Sequence, residues 1–425
     1  MEQIRKLPIG IQTFDKLREG GFLYVDKTAM IYQIASTSTP YFLSRPRRFG
    51  KSLLISTFEA YFQGRKDLFQ GLAIEQLETK WEQYPVLHLD LNARKYETAA
   101  DLTAMLNQYL EKWELLYGQE KEDRSPEERF AYVIERACTL TGKQVVVLID
   151  EYDKPLLQAV LDENLLDEYR KILKAFYGVL KSADRYLRFV FLTGVTKFAQ
   201  VSVFSDLNQL NDISMDRAYN ALCGITQDEL IKTFGPEIQR LSENEELTLE
   251  ETIFRLAKKY DGYHFCEDTS VGLFNPFSLL NVFQKLKFGN FWFQTGTPTY
   301  LVDLLKQSDY ISLHCPLTPQ TRHMINKETI AMMKPTAYII NTGRGALIDE
   351  PALIEALKEG RIAGAGLDVQ ETEPPVQDNP LYDMPNVILT PHMGWKGLET
   401  RQRLVSILAA NIQAFDEGRP QNVVS

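Results

Sequence analysis

Apolar residues in the first two hundred positions fall into short runs that alternate with stretches of helical periodicity. The run YFLS leads through the polar turn RPRRFGKS into LLISTFEAYFQ, whose apolar residues recur at helical spacing. The segments YPVLHLDLN, KQVVVLIDEYD and RFVFLTGV predict buried strands, and DLTAMLNQYLEKWELLY predicts a helix between them. Because strands that alternate with helices favour a mainly parallel sheet, residues 1–215 are predicted to form an α/β core.

The pattern changes twice after this core. Over residues 216–306 the apolar runs become helical, in QDELIKTFG, LEETIFRLAKKYDGYHF and PFSLLNVFQKLK, which predicts a helical lid subdomain. Over residues 307–425 short runs return in DYISLHCPL, TAYIINTG, AGAGLDV and NVILTPH, with helices between them and a long helix after them. We therefore predict a second, smaller α/β segment, joined to the first without a Gly/Ser-rich linker.

The composition is that of an ordinary globular protein, with 44% hydrophobic and 24% charged residues. No apolar run approaches the ~20 residues of a membrane helix, and MEQIRKLPIG lacks the apolar region of a signal peptide, so no membrane partner and a cytoplasmic location are expected. The four cysteines form no CxxC pair, which favours reduced thiols over disulfides or a zinc site. The net charge of -10 disfavours sequence-independent nucleic-acid binding by the whole chain.

The turn after the first strand carries half of a phosphate-binding motif. Gly50, Lys51 and Ser52 supply the G-K-[ST] end of a P-loop, but Arg45 stands where the first glycine would be. Alone, this sequence is also compatible with a tight basic turn that holds a solvated lysine. The acidic pair in LIDEYD, about a hundred residues later, ends another apolar strand and is suited to hold magnesium and polarise water. Together the two elements predict a nucleotide site.

Six segments in order resemble the bacterial AAA-ATPase-like family over residues 1 to about 306: LPIGIQTFDKLREGGFLYVDKT, YFLSRPRRFGKSLL, VVVLIDEYDKPLL, FLTGVTKF, YDGYHF and FWFQTGTPTYLVDLL. The resemblance implies a P-loop NTPase-like sheet that binds ATP at Lys51 and Ser52. It also implies that Ser52 and Asp150 hold Mg²⁺ and that Asp150 and Glu151 act in catalysis. Thr193 would sense the γ-phosphate, and a hydroxyl that only caps a strand end is an equal alternative.

Whether bound ATP is hydrolysed stays open, because the first glycine is absent and no arginine finger is identifiable in the sequence. Arg47 and Arg48 either add charge near the phosphates or form a solvated basic turn. The PD-(D/E)XK-type nuclease domain that commonly follows this ATPase module has no counterpart after Leu305. We therefore expect an unidentified protein client and no nucleic-acid partner.

Four later segments resemble D-isomer-specific 2-hydroxyacid dehydrogenases of the glycerate or glyoxylate/hydroxypyruvate type: SDYISLHCPLTPQTRHMIN, INTGRGALIDE, AGAGLDVQETEPP and NVILTPHMGW. The resemblance implies that Arg344 clamps the substrate, Glu373 pairs with the imidazole of His392, which shuttles the proton, and Asp368 holds the NAD carboxamide. The G-x-G-x-x-G turn that grips the pyrophosphate does not occur in the sequence. We therefore expect an incomplete Rossmann-type segment, with NAD the less expected cofactor and these residues inactive.

Three functional hypotheses follow. The leading one is an ATP-binding switch, with hydrolysis open, whose lid closes over the nucleotide. The alternatives are an NAD-binding oxidoreductase acting on the CH-OH group of 2-hydroxy acids, and a nonfunctional fusion. TYLVDLLKQ resembles the end of the first family and DLLKQSDYISLH the second, so the join is expected in a short amphipathic helix where the two overlap. The strand in DYISLHCP lacks its usual neighbour, so it is expected to form an exposed edge that docks on the ATPase core or on a second copy of the chain.

Overall fold

The computed structural model divides the chain into two compact units, Met1–Gly296 and Thr297–Ser425. It describes residues 5–119, 124–159, 162–195, 210–260, 263, 265–266, 272–289, 291, 305–306, 308–318, 321–394 and 396–416. The helix predicted at the join, in residues 299–307, lies largely outside the described residues.

The first unit is built on a five-stranded parallel sheet in the order β2-β3-β4-β1-β5. The predicted strands are confirmed, and the structure adds a short edge strand beside the first. Their bounds are β1 Tyr41–Ser44, β2 Val86–Asp90, β3 Val145–Asp150, β4 Leu187–Gly194 and β5 Asn211–Asp212.

Helices cover both faces of this sheet, which explains why its central strands are apolar throughout. The first seven helices are α1 Phe14–Glu19, α2 Thr28–Ala35, α3 Lys51–Phe62, α4 Ala99–Tyr117, α5 Pro126–Thr141, α6 Lys154–Gln158 and α7 Glu163–Ser182. Side chains of β3 alternate between two cores. Val145 and Val147 pack in the core that contains α4, α5 and α7, and Val146 and Leu148 pack in the core that contains α2 and α3.

The predicted helical region is confirmed and belongs to the first compact unit. It contains α8 Gln227–Asn244, α9 Leu249–Tyr260 and α10 Pro276–Lys285. Leu230, Leu256 and Phe283 of these helices form a separate buried cluster, against which Leu7 and Val25 of the N-terminal segment pack. The N-terminal segment therefore connects the helical region to the rest of the unit, and lid closure remains a prediction.

The second unit has a four-stranded parallel sheet in the order β6-β7-β8-β9, so its predicted α/β character is confirmed. One sheet face is buried with the helices, and the other exposes Tyr310, Tyr338 and Ile388. None of the described helices combines the length and apolarity that crossing a bilayer requires. The elements are β6 Tyr310–Leu313, α11 Lys327–Ile330, β7 Tyr338–Asn341, α12 Glu350–Lys358, β8 Gly364–Leu367, β9 Val387–Leu389 and α13 Leu398–Asp416.

Candidate functional site

The loop from β1 to α3 has the geometry that a phosphate-binding loop requires. Gly50 precedes the first residue of α3 and has φ 93°, in the left-handed region that favours glycine. The helix then begins with Lys51 and Ser52, so its free N–H groups and the positive end of its dipole face the loop. These residues therefore occupy the positions that the motif predicted.

Lys51 is almost fully buried, with its ammonium group held by the loop and by an acid. Its Nζ lies 3.0 Å from the carbonyl oxygen of Arg45 and 3.3 Å from that of Pro46. A carboxylate oxygen of Glu151 lies 3.1 Å from the same Nζ. The lysine is therefore not solvated as in the simple basic turn, and an incoming phosphate would compete with Glu151 for it.

The carboxyl ends of β3 and β4 bring together three more of the predicted residues. The Thr193 hydroxyl donates a hydrogen bond to the buried carboxylate of Asp150, and the Glu151 amide donates to the Thr193 hydroxyl at 3.4 Å. Glu151 has φ 53°, a strained backbone conformation for a residue with a side chain. Thr193 thus links the two acids, and its role as a γ-phosphate sensor remains a prediction.

Arg45, in the position of the missing first glycine, points into the protein interior. Its guanidinium donates to the carbonyl oxygens of Ser214 at 2.7 Å and Asn220 at 3.3 Å. It also lies 4.3 Å from the centroid of the Phe265 ring. Burial lowers the pKa of Arg45. The residue therefore fastens the phosphate loop to the segment that leads into the helical region, a contact that sequence reasoning missed.

The loop opens onto a cavity of about 480 Å³, within the range of small-molecule sites. Its polar lining residues include Arg47, Lys51, Ser52, Asn92, Glu151 and Lys154. Its apolar lining comes from the N-terminal segment and the helical region, among them Ile11, Leu23, Val25, Ile225, Phe277 and Leu280. The lining therefore offers both charged and apolar contacts to a bound group.

Two cations that line this cavity are engaged by the protein itself. The Arg48 guanidinium lies 4.0 Å from the centroid of the Phe277 ring, so it is packed on an aromatic face and is not simply solvated. Lys27 is buried, and its Nζ lies 2.5 Å from Glu229 of α8. Sequence reasoning missed Lys27, Asn92 and Lys154, although Lys154 directly follows the DEYD segment.

In the second unit, two of the predicted residues lie in direct contact. The Nδ1 atom of His392 lies 2.8 Å from a carboxylate oxygen of Glu373, and both side chains are largely accessible. The Nη1 group of Arg344 donates to the carbonyl oxygen of its neighbour Gly343 at 2.9 Å. The pairing expected for an imidazole and its acid is therefore present. The sequence analysis did not foresee a second pair, His323 with Glu371 at 2.6 Å.

Asp368 binds the loop that carries His392. Its carboxylate accepts hydrogen bonds from the Thr390 hydroxyl, from the Met393 amide at 2.8 Å and from the Gly394 amide at 2.9 Å. Burial alone would raise the pKa of Asp368, but these hydrogen bonds hold it below its ordinary value. The carboxylate therefore positions the loop, and its predicted contact with a nicotinamide stays a prediction.

The first unit has a parallel α/β sheet with a Gly-Lys-Ser loop at the start of a helix, and the second has the parallel sheet of a Rossmann-type segment. Comparison with known families agrees with this division. Residues 8–204 match the predicted AAA-ATPase family, and residues 290–394 match the NAD-binding domain of D-isomer specific 2-hydroxyacid dehydrogenases. The chain therefore joins an AAA-ATPase-like domain to part of a 2-hydroxyacid dehydrogenase NAD-binding domain.

Individual relatives match one part or the other. The "Uncharacterized protein in vnfD 5'region" of Azotobacter chroococcum mcd 1 is 42% identical over 307 residues, which are 71% of this chain and 56% of that protein. The glycerate dehydrogenase of Methylorubrum extorquens is 53% identical over 129 residues, 29% of this chain and 41% of the enzyme. The chain thus spans about half of the first relative and two fifths of the second.

Among solved structures, the D-isomer specific 2-hydroxyacid dehydrogenase of Xanthobacter autotrophicus Py2 in complex with NADPH and MES is 37% identical to this chain. The match covers 29% of this chain and 51% of that one, with a TM-score of 0.27.

Proposed function

We propose that the first unit binds ATP with magnesium in the cavity at the phosphate loop and acts as a nucleotide-dependent switch. One observation carries the proposal: buried Lys51 and Ser52, at the start of α3, line a cavity that has both cationic and apolar lining residues. The phosphates would lie against the N-terminus of α3, where backbone N–H groups and the helix dipole favour anions. The base would lie among Ile11, Phe277 and Leu280.

The polar residues at the cavity fit a magnesium-bound nucleotide. Mg²⁺ at such sites takes a hydroxyl and a carboxylate from the protein and its other ligands from phosphates and water. Ser52, which lines the cavity, and Asp150, which is buried directly before the cavity-lining Glu151, would supply those two kinds of donor. The ion, when bound, would neutralise charge on the phosphates. The tie between Asp150 and Thr193 would orient the carboxylate before the nucleotide arrives.

Glu151 would exchange partners when the nucleotide binds. In this structure its carboxylate neutralises Lys51 at 3.1 Å. A phosphate at Lys51 would release Glu151, which could then accept a proton from an attacking water. Residues of the helical region line the same cavity, so occupation by the base would favour one position of that region. Nucleotide binding would in this way act on an unidentified protein client.

The test is a set of thermal melts with Mg-ATP, with NADH and with neither. A ligand that binds only the folded state at 100 times its Kd adds about 2.7 kcal/mol to the free energy of unfolding. We expect ATP to stabilise the chain and Lys51→Met to remove that effect. Lys66→Met, at an exposed position away from the cavity, is the matched control and should keep it. Unchanged ATP affinity in Lys51→Met would refute the phosphate-loop assignment.

A second candidate is an NAD-dependent oxidoreductase acting on 2-hydroxy acids of the glycerate or hydroxypyruvate type. The contact between His392 and Glu373 favours it, because an imidazole oriented by a carboxylate is suited to move the hydroxyl proton. The absence of G-x-G-x-x-G from the sequence argues against it. Hydroxypyruvate-dependent oxidation of NADH that His392→Ala abolishes would establish this function.

The third candidate is a nonfunctional fusion, and it predicts that neither ATP nor NADH changes the melt. The boundary between the compact units, at Gly296 and Thr297, lies close to the stretch that both families share. Amplification of source DNA across the codons for residues 296–316 tests the join. Failure to recover one continuous product would mean that the two parts are not encoded together.

A further inference from the structure

Five cationic residues line the cavity, and the protein engages three of them. Lys27 is paired with Glu229, Arg48 is stacked on Phe277, and Lys51 is held by the loop carbonyls and by Glu151. The remaining two are Arg47 and Lys154. Within the described ranges, neither of these side chains has a hydrogen-bond or ion-pair partner. The cavity therefore contains two positive charges that the surrounding structure does not use.

The two charges each lie shortly after the carboxyl end of a strand of the first sheet. Arg47 lies in the loop between β1 and α3, and Lys154 is the first residue of α6, just after β3. Lys154 is half-buried, whereas Arg47 is exposed. Burial and the nearby charge of Arg47 lower the pKa of Lys154, while Glu151 and two further acids act in the opposite direction. The two cations are therefore close enough to repel each other.

An anion between them would relieve this repulsion. Neither charge has an ion-pair partner within the described residues and nearby acids offset the repulsion only in part, so the benefit of an anion grows with the charge that it brings. In a nucleoside triphosphate, the phosphate farthest from the sugar carries the most charge. Lys51 and the start of α3 would hold the β- and γ-phosphates from the side of the phosphate loop. The cavity thus has two further cationic groups, beyond Lys51, that can reach the terminal phosphate.

We propose that Arg47 and Lys154 contact the terminal phosphate of ATP and make the site distinguish ATP from ADP. The inference rests on the proposed function, because it requires the nucleotide to lie in this cavity. It assigns to two residues of one chain the cationic contact for which the sequence offered no arginine finger. A switch needs such a contact, since it must respond differently to a triphosphate and a diphosphate.

Calorimetric titration of the full chain tests the proposal with Mg-ADP and with the non-hydrolysable β,γ-imido analogue of ATP. A charged hydrogen bond contributes about 1.5–3 kcal/mol, so Lys154→Met or Arg47→Met should weaken analogue binding by about tenfold or more. ADP affinity should change by less than about twofold. Lys154→Arg should restore most of the preference, and Lys66→Met should leave both affinities unchanged.

The outcomes separate this inference from the proposed function. If the unaltered chain binds neither nucleotide, both fall together. If the unaltered chain binds both nucleotides and Lys51→Met abolishes binding, the phosphate-loop assignment is supported. If Lys154→Met and Arg47→Met then lower the ATP-analogue and ADP affinities equally, or leave both unchanged, the terminal-phosphate assignment alone is wrong. A thermal melt of each variant in the absence of nucleotide shows whether the substitution has impaired folding. Removing one of two repelling charges should not lower the melting temperature, so a marked drop would indicate a structural role instead.

The pH dependence gives a second readout. Because the pKa of Lys154 is lowered from 10.5, its side chain loses its charge at a lower pH than an ordinary lysine does. The charged groups that act on it are Arg47, Glu151, Asp153 and Asp90. The preference for the ATP analogue over ADP should therefore fall at high pH in the unaltered chain and persist in Lys154→Arg. An identical pH profile in both proteins would contradict a contact by Lys154.

Discussion

In each unit, two of the predicted site residues form an acid–base pair, and these two pairs differ in their exposure to solvent. Lys51 and Glu151 lie 3.1 Å apart, with side chains 3% and 14% exposed. His392 and Glu373 lie 2.8 Å apart, with side chains 43% and 39% exposed. The contact distances are similar, but charges interact much more strongly where water is excluded. Residues of the right type at the right distance therefore do not by themselves make an equivalent site.

The sheets differ in the same way. In the first unit, β3 is buried on both faces by two separate cores. In the second unit, one face of the sheet is covered, and the other exposes Tyr310, Tyr338 and Ile388. Parallel sheets are normally covered on both sides. The first unit thus encloses its candidate site with its own residues, whereas the second leaves apolar surface accessible.

The largest predicted effect concerns the residue in the first-glycine position. Arg45→Gly restores the usual P-loop residue but removes a buried guanidinium that binds the carbonyl oxygens of Ser214 and Asn220. The unpaired carbonyls and the space left behind should lower the free energy of unfolding by roughly 3 kcal/mol or more. Urea unfolding measures this. Arg344→Ala in the second unit, where the guanidinium bonds only to its neighbour among the described residues, is the control and should cost below about 0.5 kcal/mol. Equal losses of free energy of unfolding in Arg45→Gly and Arg344→Ala would contradict the difference in burial between the two units.

The strands and the meeting of Asp150 with Thr193 could be predicted, because apolar runs mark buried parallel strands and the ends of such strands share one edge. The contacts of Arg45 could not, since its partner Ser214 lies 169 positions away in the sequence. Nor could the stacking of Arg48 on Phe277. Local sequence patterns specify elements and strand ends, but which distant segments close the cavity depends on packing of the whole unit.

The next effect is smaller and tests how the second unit holds its histidine loop. Asp368→Asn keeps the side-chain shape, but it weakens the bonds at the remaining oxygen and replaces the other acceptor with an NH2 group, which cannot accept from the Thr390 hydroxyl or from the Met393 and Gly394 amides. We expect a loss of about 1 kcal/mol at neutral pH and faster amide exchange at residues 390–394. Because the folded-state pKa of Asp368 lies below 3.8, the charge stabilises the unit above that value and its contribution is lost as pH falls through the folded pKa. The difference in free energy of unfolding between the unaltered chain and Asp368→Asn should therefore become smaller as pH falls. A difference that persists unchanged in acid would contradict the role of the charge.

The smallest effect on stability concerns the exposed edge of the second sheet. Tyr310 on β6 is 69% exposed and stacks on Tyr338 with ring centroids 5.6 Å apart. Tyr310→Lys should cost about 0.5–1 kcal/mol for the lost aromatic pair.

If the β6 edge pairs with a second copy of the chain, a lysine at position 310 should also abolish concentration-dependent association, because a charge on an edge strand opposes pairing. Sedimentation velocity at several concentrations measures this, with Tyr382→Lys, also exposed but outside the sheet, as control. Association that survives in Tyr310→Lys and disappears in Tyr382→Lys would place the contact elsewhere. The two units would then still differ in how far their sheet faces are covered, but the β6 edge of the second sheet would not be an association site.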